Sequence, residues 1–223
     1  MKADTLVVAV DGPSGSGKSS TARGVAKRLG LAYLDTGAMY RAITWALLED
    51  GVHVDDAEAV ATAAGTVVLD VGTDPADPTI RAGGADVSEP IRGPHVTAAV
   101  SAVSAVPAVR EVLVAEQRAL IAESDGMVVE GRDIASVVAP DADVKVYLVA
   151  DADARASRRT AELGGDDVEA TRADLARRDA YDSSRSSSPL RRADGARIID
   201  TTYLSLEDVI DEIVRLVRER SAE

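Results

Sequence analysis

No cysteine occurs among the 223 residues. That excludes a disulfide framework, a thiol nucleophile and a cysteine-based zinc site. Phenylalanine is absent too, and aromatic residues make up only 3%. Val, Ala and Leu must therefore build the core, and a hydrophobic content of 46% is enough for a sizeable one. The only histidines, His53 and His95, stand far apart in unrelated contexts and do not suggest a metal pair. No apolar run approaches the ~20 residues of a membrane span. The N-terminus enters a strand almost at once, which leaves no room for a signal peptide. A cytoplasmic protein with no membrane partner is expected. The formal net charge of −13 argues against nucleic acid as a partner, because phosphate-backbone binding needs a basic face. Lysine is scarce, four against 21 arginines, so the placement of an arginine matters more than its presence. An acidic chain can still serve small phosphorylated substrates if its cations converge in one cleft.

What is present is organised around one stretch. Thr5-Leu-Val-Val-Ala-Val10 is a short β-branched run that reads as a strand buried on both faces. Gly12-Pro-Ser-Gly-Ser-Gly-Lys-Ser19 follows, matching G-x-x-x-x-G-K-S, and Ser20 leads on into a helix with Ala22, Val25, Ala26 and Leu29 on one face. Glycines let successive backbone N–H groups turn inward around phosphate oxygens, and the helix start aims its positive end at the same point. Lys18 can reach the β- and γ-phosphates, and Ser19 can offer its hydroxyl to Mg²⁺. A nucleoside triphosphate is the expected ligand. The loop does not say what is done with it.

Strands and helices alternate along the rest of the chain. Leu31–Leu34 reads as a strand, followed by a helix to about Asp50 with Thr36 placed as its N-cap and Arg41 on its first turns. Residues 58 to 92 break the alternation. Thr66–Val71 and Thr79–Ala82 read as strands between turn-rich segments, a small antiparallel insert. Pro94 and Pro107 open two helices, with Ser101 and Arg110 flanking their junction. Gly126–Asp133 reads as a buried strand ending in charged groups, Glu130, Arg132 and Asp133, where parallel sheets bind ligands. Val144–Val149 is a further core strand. A helix from Asp153 to Leu163 carries Arg155, Arg158 and Arg159 on one face, and the next carries Arg178, Asp182 and Arg185 on one face. Positive charge concentrates there: residues 155 to 192 hold nine arginines and seven acids. A serine-rich loop, Ser183–Pro189, a strand, Arg197–Asp200, and a helix with an N-cap serine at 205 complete the chain. The expected fold is α/β: a phosphate-loop NTPase fold, with about five parallel strands flanked by helices and the small insert.

Phosphoryl transfer needs in-line placement and cations around the moving group more than covalent help. It calls for one phosphate cradle, a second cationic cradle, and arginines on a segment that closes late to exclude water. The chain offers all three. It has no N-K-x-D guanine motif of a GTPase switch, and a sugar or shikimate-type kinase would need fewer cations at the second site.

Asp11–Lys18, Leu34-Asp-Thr-Gly-Ala-Met-Tyr-Arg41, Asp86-Val-Ser-Glu-Pro-Ile-Arg92, Pro107–Arg110, Gln117-Arg118, Glu130-Gly-Arg-Asp-Ile134, Arg155–Arg159 and Arg178-Asp179 together resemble the bacterial cytidylate kinases of the nucleoside monophosphate kinase family, over nearly the whole chain. The resemblance implies transfer from ATP, with Mg²⁺, to CMP or dCMP by a monomer of one kinase domain, residues 1–223. It implies that Gly12, Pro13, Ser14, Gly15, Ser16, Gly17, Lys18, Ser19 and Ser20 bind ATP. Thr36, Arg41, Arg132 and Arg185 fall where the acceptor phosphate is held. Ser101, Arg110 and Asp133 fall where the cytosine edge is read, and Arg178 with Asp182 where the sugar is held. Arg155, Arg158 and Arg159 fall in a mobile lid, residues 155–170, that supplies charge to the moving phosphoryl beside Lys18. The insert at 58–92 resembles the extra element that the bacterial branch attaches to its monophosphate-binding region. A kinase for dephospho-coenzyme A and a nucleotide-binding regulator without transfer activity are the alternative readings.

Overall fold

The computed structural model describes residues 5–162, 164–185 and 189–220. β1 (Leu6–Asp11) is buried almost throughout and feeds the glycine-rich loop and α1 (Lys18–Leu29). β2 (Ala32–Asp35) then leads into α2 (Thr36–Glu49). The cap of α2 is Asp35, not Thr36: the Asp35 carboxylate accepts the Ala38 N–H at 2.9 Å. Asp35 still has extended backbone, so its side chain can fold back over the first turn. Thr36 is already helical, and its hydroxyl donates to the Glu130 carbonyl at 2.7 Å instead.

α3 (Ala57–Ala64) precedes three short antiparallel strands, β3 (Leu69–Val71), β4 (Ile80–Ala82) and β5 (Ala85–Asp86). Pairing starts only at Leu69, later than the sequence suggests, because the N–H groups of Thr66 and Val67 close a turn onto Ala63 and Ala64. Gly83 and Gly84 alone make the β4–β5 turn, so Ala85 and Asp86, read from sequence as turn, are free to pair. α4 (Pro94–Val103) and α5 (Pro107–Glu123) each begin with proline, whose missing N–H would have had no helical partner.

β6 (Gly126–Gly131) runs into a five-residue π turn, Ile134–Val138. β7 (Val144–Val149), α6 (Ala152–Glu162), α7 (Val168–Ser184), β8 (Arg197–Asp200) and α8 (Leu206–Arg220) follow. Ser205 and Asp208 cap α8 reciprocally, each side chain accepting the other's backbone N–H. Leu163, read from sequence as the end of α6, and Ser186–Ser188 of the serine-rich loop lie outside the described residues.

The main sheet has the order β2-β6-β1-β7-β8, and every pair is parallel. β1 is central and sends alternate side chains into two cores. Val7 and Ala9 join Leu34, Met127 and Val129 under α2 and α5. Val8 and Val10 join Val128, Val146 and Leu148 under α1 and α8. The carboxyl ends of β1, β2 and β6 therefore open at one edge, beside the start of α1. Among the described residues no single helix is long and apolar enough to cross a membrane.

Candidate active site

The glycine-rich loop is pressed between two neighbours. A Cβ on Gly12 (φ 151°) would stand 2.3 Å from the Leu148 carbonyl oxygen, and one on Gly15 (φ 75°) 2.8 Å from the Arg155 carbonyl oxygen. No other residue type fits either place. Ser16 lies buried under the loop, its hydroxyl donating to the Pro13 carbonyl at 2.9 Å. Lys18 reaches back to the same carbonyl at 2.8 Å. Burial, and then the Arg132 cation, hold its ammonium below the usual lysine range.

The end of β6 supplies the floor. One oxygen of Glu130 accepts the Ser19 hydroxyl at 2.9 Å, and the other accepts the Tyr33 hydroxyl. Burial and nearby Asp35 push this carboxyl up. Beyond it, Asp11 accepts the N–H groups of Ile134 and Ala135, both at 2.8 Å, and so secures the turn that follows Arg132 and Asp133. Burial raises Asp11 to about 6.

One cleft of about 200 Å³ joins the loop to a second group of cations. Its walls include Ser14, Lys18, Ser19 and Ser20 on one side, and Thr36, Arg41, Ser101, Arg110, Arg132, Asp133, Arg159, Arg178, Asp182 and Arg185 on the other. Arg41 donates to the Ile91 carbonyl and the Thr97 hydroxyl, both at 3.0 Å. Burial, then the cations Arg178 and Arg159, pull Arg41 down to about 9. Among the described residues neither Arg41 nor Arg178 forms an ion pair, and the Arg178 Nε has no partner. Converging guanidinium groups without a counter-ion are the electrostatic mould of an anion.

Deeper in, Arg110 pairs with Asp133, donates to the Ser104 carbonyl at 3.2 Å and stands 5.3 Å over the Tyr40 ring. Asp182, also buried, pairs with Arg185 and, at 2.8 Å, with the Arg132 Nε. Arg185 further donates to the Ser104 hydroxyl at 2.7 Å.

The three arginines of α6 part company. Arg159 lines the cleft and pairs with Glu162 at 3.0 Å. Arg155 turns to Asp179 and to the Ser14 carbonyl at 3.1 Å. Arg158 is not brought to the cleft: it donates to the Thr201 hydroxyl at 2.9 Å and the Thr201 carbonyl at 2.5 Å.

The family model described as cytidylate kinase matches residues 8–219. The chain belongs to the cytidylate kinase family. A protein of Streptomyces griseus named cytidylate kinase is 56% identical over 214 residues, covering 96% of this chain and 93% of its own length. One of Rhodococcus opacus, with the same name, is 55% identical over 225 residues, covering 99% and 98%. Among solved structures, a gluconokinase from Sinorhizobium meliloti superposes with a TM-score of 0.53 at 14% identity, covering 100% of this chain and 97% of its own. A shikimate kinase from Acinetobacter baumannii reaches 0.50 at 15%, covering 99% and 97%. At those identities they share the fold alone, that of phosphate-loop kinases.

Two residues at the site of this cytidylate kinase family member escaped the sequence reading. Glu130 stood in a noticed cluster but received no role; its place at the carboxyl end of a strand beside the phosphate loop was the available signal. Asp179 was noticed only as part of the Arg178-Asp179 motif and received no role, because acids spaced along an arginine-rich helix read as a solvated, salt-bridged face.

Proposed function

We propose that the protein transfers the γ-phosphoryl group of ATP to CMP or dCMP, giving ADP and CDP or dCDP. One observation carries this reading: a phosphate loop meets, in one cleft, the half-buried Arg41 and Arg178, which form no ion pair among the described residues, with the Arg110–Asp133 pair behind them. The loop from Gly12 to Ser20 holds the ATP phosphates through the backbone N–H groups of its residues other than Pro13, and Lys18 exchanges the Pro13 carbonyl for a phosphate oxygen. Thr36, Arg41, Arg132 and Arg185 hold the acceptor phosphate, and Arg178 and Asp182 the sugar. Ser101, Arg110 and Asp133 read the cytosine edge: the carboxylate takes the exocyclic amino group and the guanidinium gives to the ring acceptors.

An oxygen of the acceptor phosphate attacks the γ-phosphorus while the bond to the β–γ bridging oxygen breaks. The leaving ADP keeps the electron pair. Arg155 and Arg159 spread the charge of the moving group once residues 155–170 close as a lid, and Arg158 joins them by leaving Thr201. A divalent cation fits beside the loop, where the Ser19 hydroxyl and the Glu130 carboxylate put two hard oxygen donors 2.9 Å apart. Bound there with the nucleotide phosphates, Mg²⁺ would neutralise part of their charge. We assign residues 58–92 to the monophosphate-binding region, since Ile91 holds Arg41.

The test is ADP release from ATP and Mg²⁺ against CMP, dCMP, UMP, AMP and GMP. Turnover with CMP and dCMP well above the rest is expected. Turnover with none of the five would sink the reading.

A further inference from the structure

Asp179 of α7 has no role in the reading above, yet it sits against the phosphate loop. One of its oxygens accepts the Ser14 N–H at 3.3 Å and lies 3.5 Å from Arg132 Nη1. The other pairs with Arg155. Both arginines hold Ser14 as well: Arg132 donates to its hydroxyl, and Arg155 donates to its carbonyl at 3.1 Å. One carboxylate is thus the shared counter-ion of an arginine following β6 and an arginine on α6. All three groups dock on a single residue of the loop.

A staple between α6 and α7 would need only the Arg155 contact. The bond to the Ser14 N–H and the contact with Arg132 have no use in such a staple. They make sense if the positions of the two guanidinium groups relative to the loop matter. Two cations converging on one residue repel, and long side chains hold many rotamers. A carboxylate between them removes the repulsion and much of the freedom.

We propose that Asp179 is a positioning residue for phosphoryl transfer, which sets the donor-side Arg155 and the acceptor-side Arg132 in register on Ser14. The proposal rests on the kinase reading. Asp179 itself does not line the cleft. Its loss therefore leaves both substrates bound and the charged groups around the moving phosphoryl misplaced, and misplacement of about 1 Å costs on the order of 10²-fold in rate.

The experiment compares Asp179→Asn, Asp179→Glu and, as a control, Asp211→Asn, an exposed acid on α8 that pairs with Arg28 at 2.7 Å. Asp179→Asn should lower kcat about tenfold to a hundredfold while the KM values for ATP and CMP stay within about threefold. Asp179→Glu should recover part of that kcat, because the charge returns at a slightly wrong place. Asp211→Asn should keep wild-type kinetics, and melting temperatures should stay close throughout. Should Asp179→Asn fail to fold, Asp179→Glu carries the test through the same split between kcat and KM. Wild-type kcat in a folded Asp179→Asn protein would overturn the proposal. So would a raised KM with kcat intact. A wild-type protein that phosphorylates no monophosphate would overturn the kinase reading and this proposal with it, whereas an active wild type beside an equally active variant overturns only the role of Asp179.

Discussion

Arg110 is 4% exposed and held on three sides, by Asp133, by the Ser104 carbonyl and by the Tyr40 ring. A guanidinium so held cannot turn to follow a different base. Its donors stay fixed, and only a base edge with matching acceptors fits them. Arg110→Met should therefore cut the preference for CMP over UMP at least about tenfold in kcat/KM, with the KM for ATP within about threefold. Equal losses on CMP and UMP would remove Arg110 from base reading. The same variant leaves Asp133 buried without its partner, which costs about 3–5 kcal/mol. The assay belongs below the lowered melting temperature. From the sequence alone this arginine looks ordinary, flanked by Glu111 and Glu116 on a helix. Only the family resemblance suggested a base-reading role for it.

At the scale of elements, β1 and the turn after β6 are tied by one side chain. Asp11 ends β1 and receives the N–H groups of Ile134 and Ala135. Its folded-state value of about 6 lies above the 3.8 of an unperturbed aspartate. The folded protein therefore holds the proton more tightly than the unfolded chain. This contribution to stability is present in full below about pH 4 and is lost as the pH rises through about 6. Asp11→Asn carries no titrating group, so between pH 4 and 6 the wild type should lose stability relative to that variant. Urea midpoints of the two proteins at pH 4, 5, 6 and 7 would check this. A difference that stays constant with pH would contradict it. The long elements were legible in sequence because β1 and α1 carry period and glycine signals over many residues. The strands of two or three residues in the second sheet carry no period, so their ends were blurred. The cap of α2 depended on which neighbour had already turned helical, a matter of backbone angle rather than residue type.

The whole molecule carries a net charge of −13 around a cleft of arginines. Within that acidic whole the cleft is a local concentration of positive charge. The cations cost stability when the cleft holds no anion: Arg41 is pulled down by burial and by Arg178 and Arg159. A bound phosphate relieves this and stabilises the fold by mass action. Arg41→Met should therefore melt, without nucleotide, no lower than the wild type, and should lose most of the rise in melting temperature that CMP produces. Melting scans with and without CMP would check both. A full CMP shift in the variant would rule Arg41 out of the anion site.

The order of strand, loop and helix, the parallel sheet and the phosphate loop follow from the sequence, because they rest on patterns among neighbouring residues. Which arginine faces the substrate does not. Arg155, Arg158 and Arg159 share a helix face by spacing, yet one meets Asp179, one meets Thr201 and one lines the cleft. Ser19 meets a carboxylate 111 residues away. Such contacts are decided when separate elements pack, because a long side chain takes its direction from whichever acceptor a distant segment brings within reach.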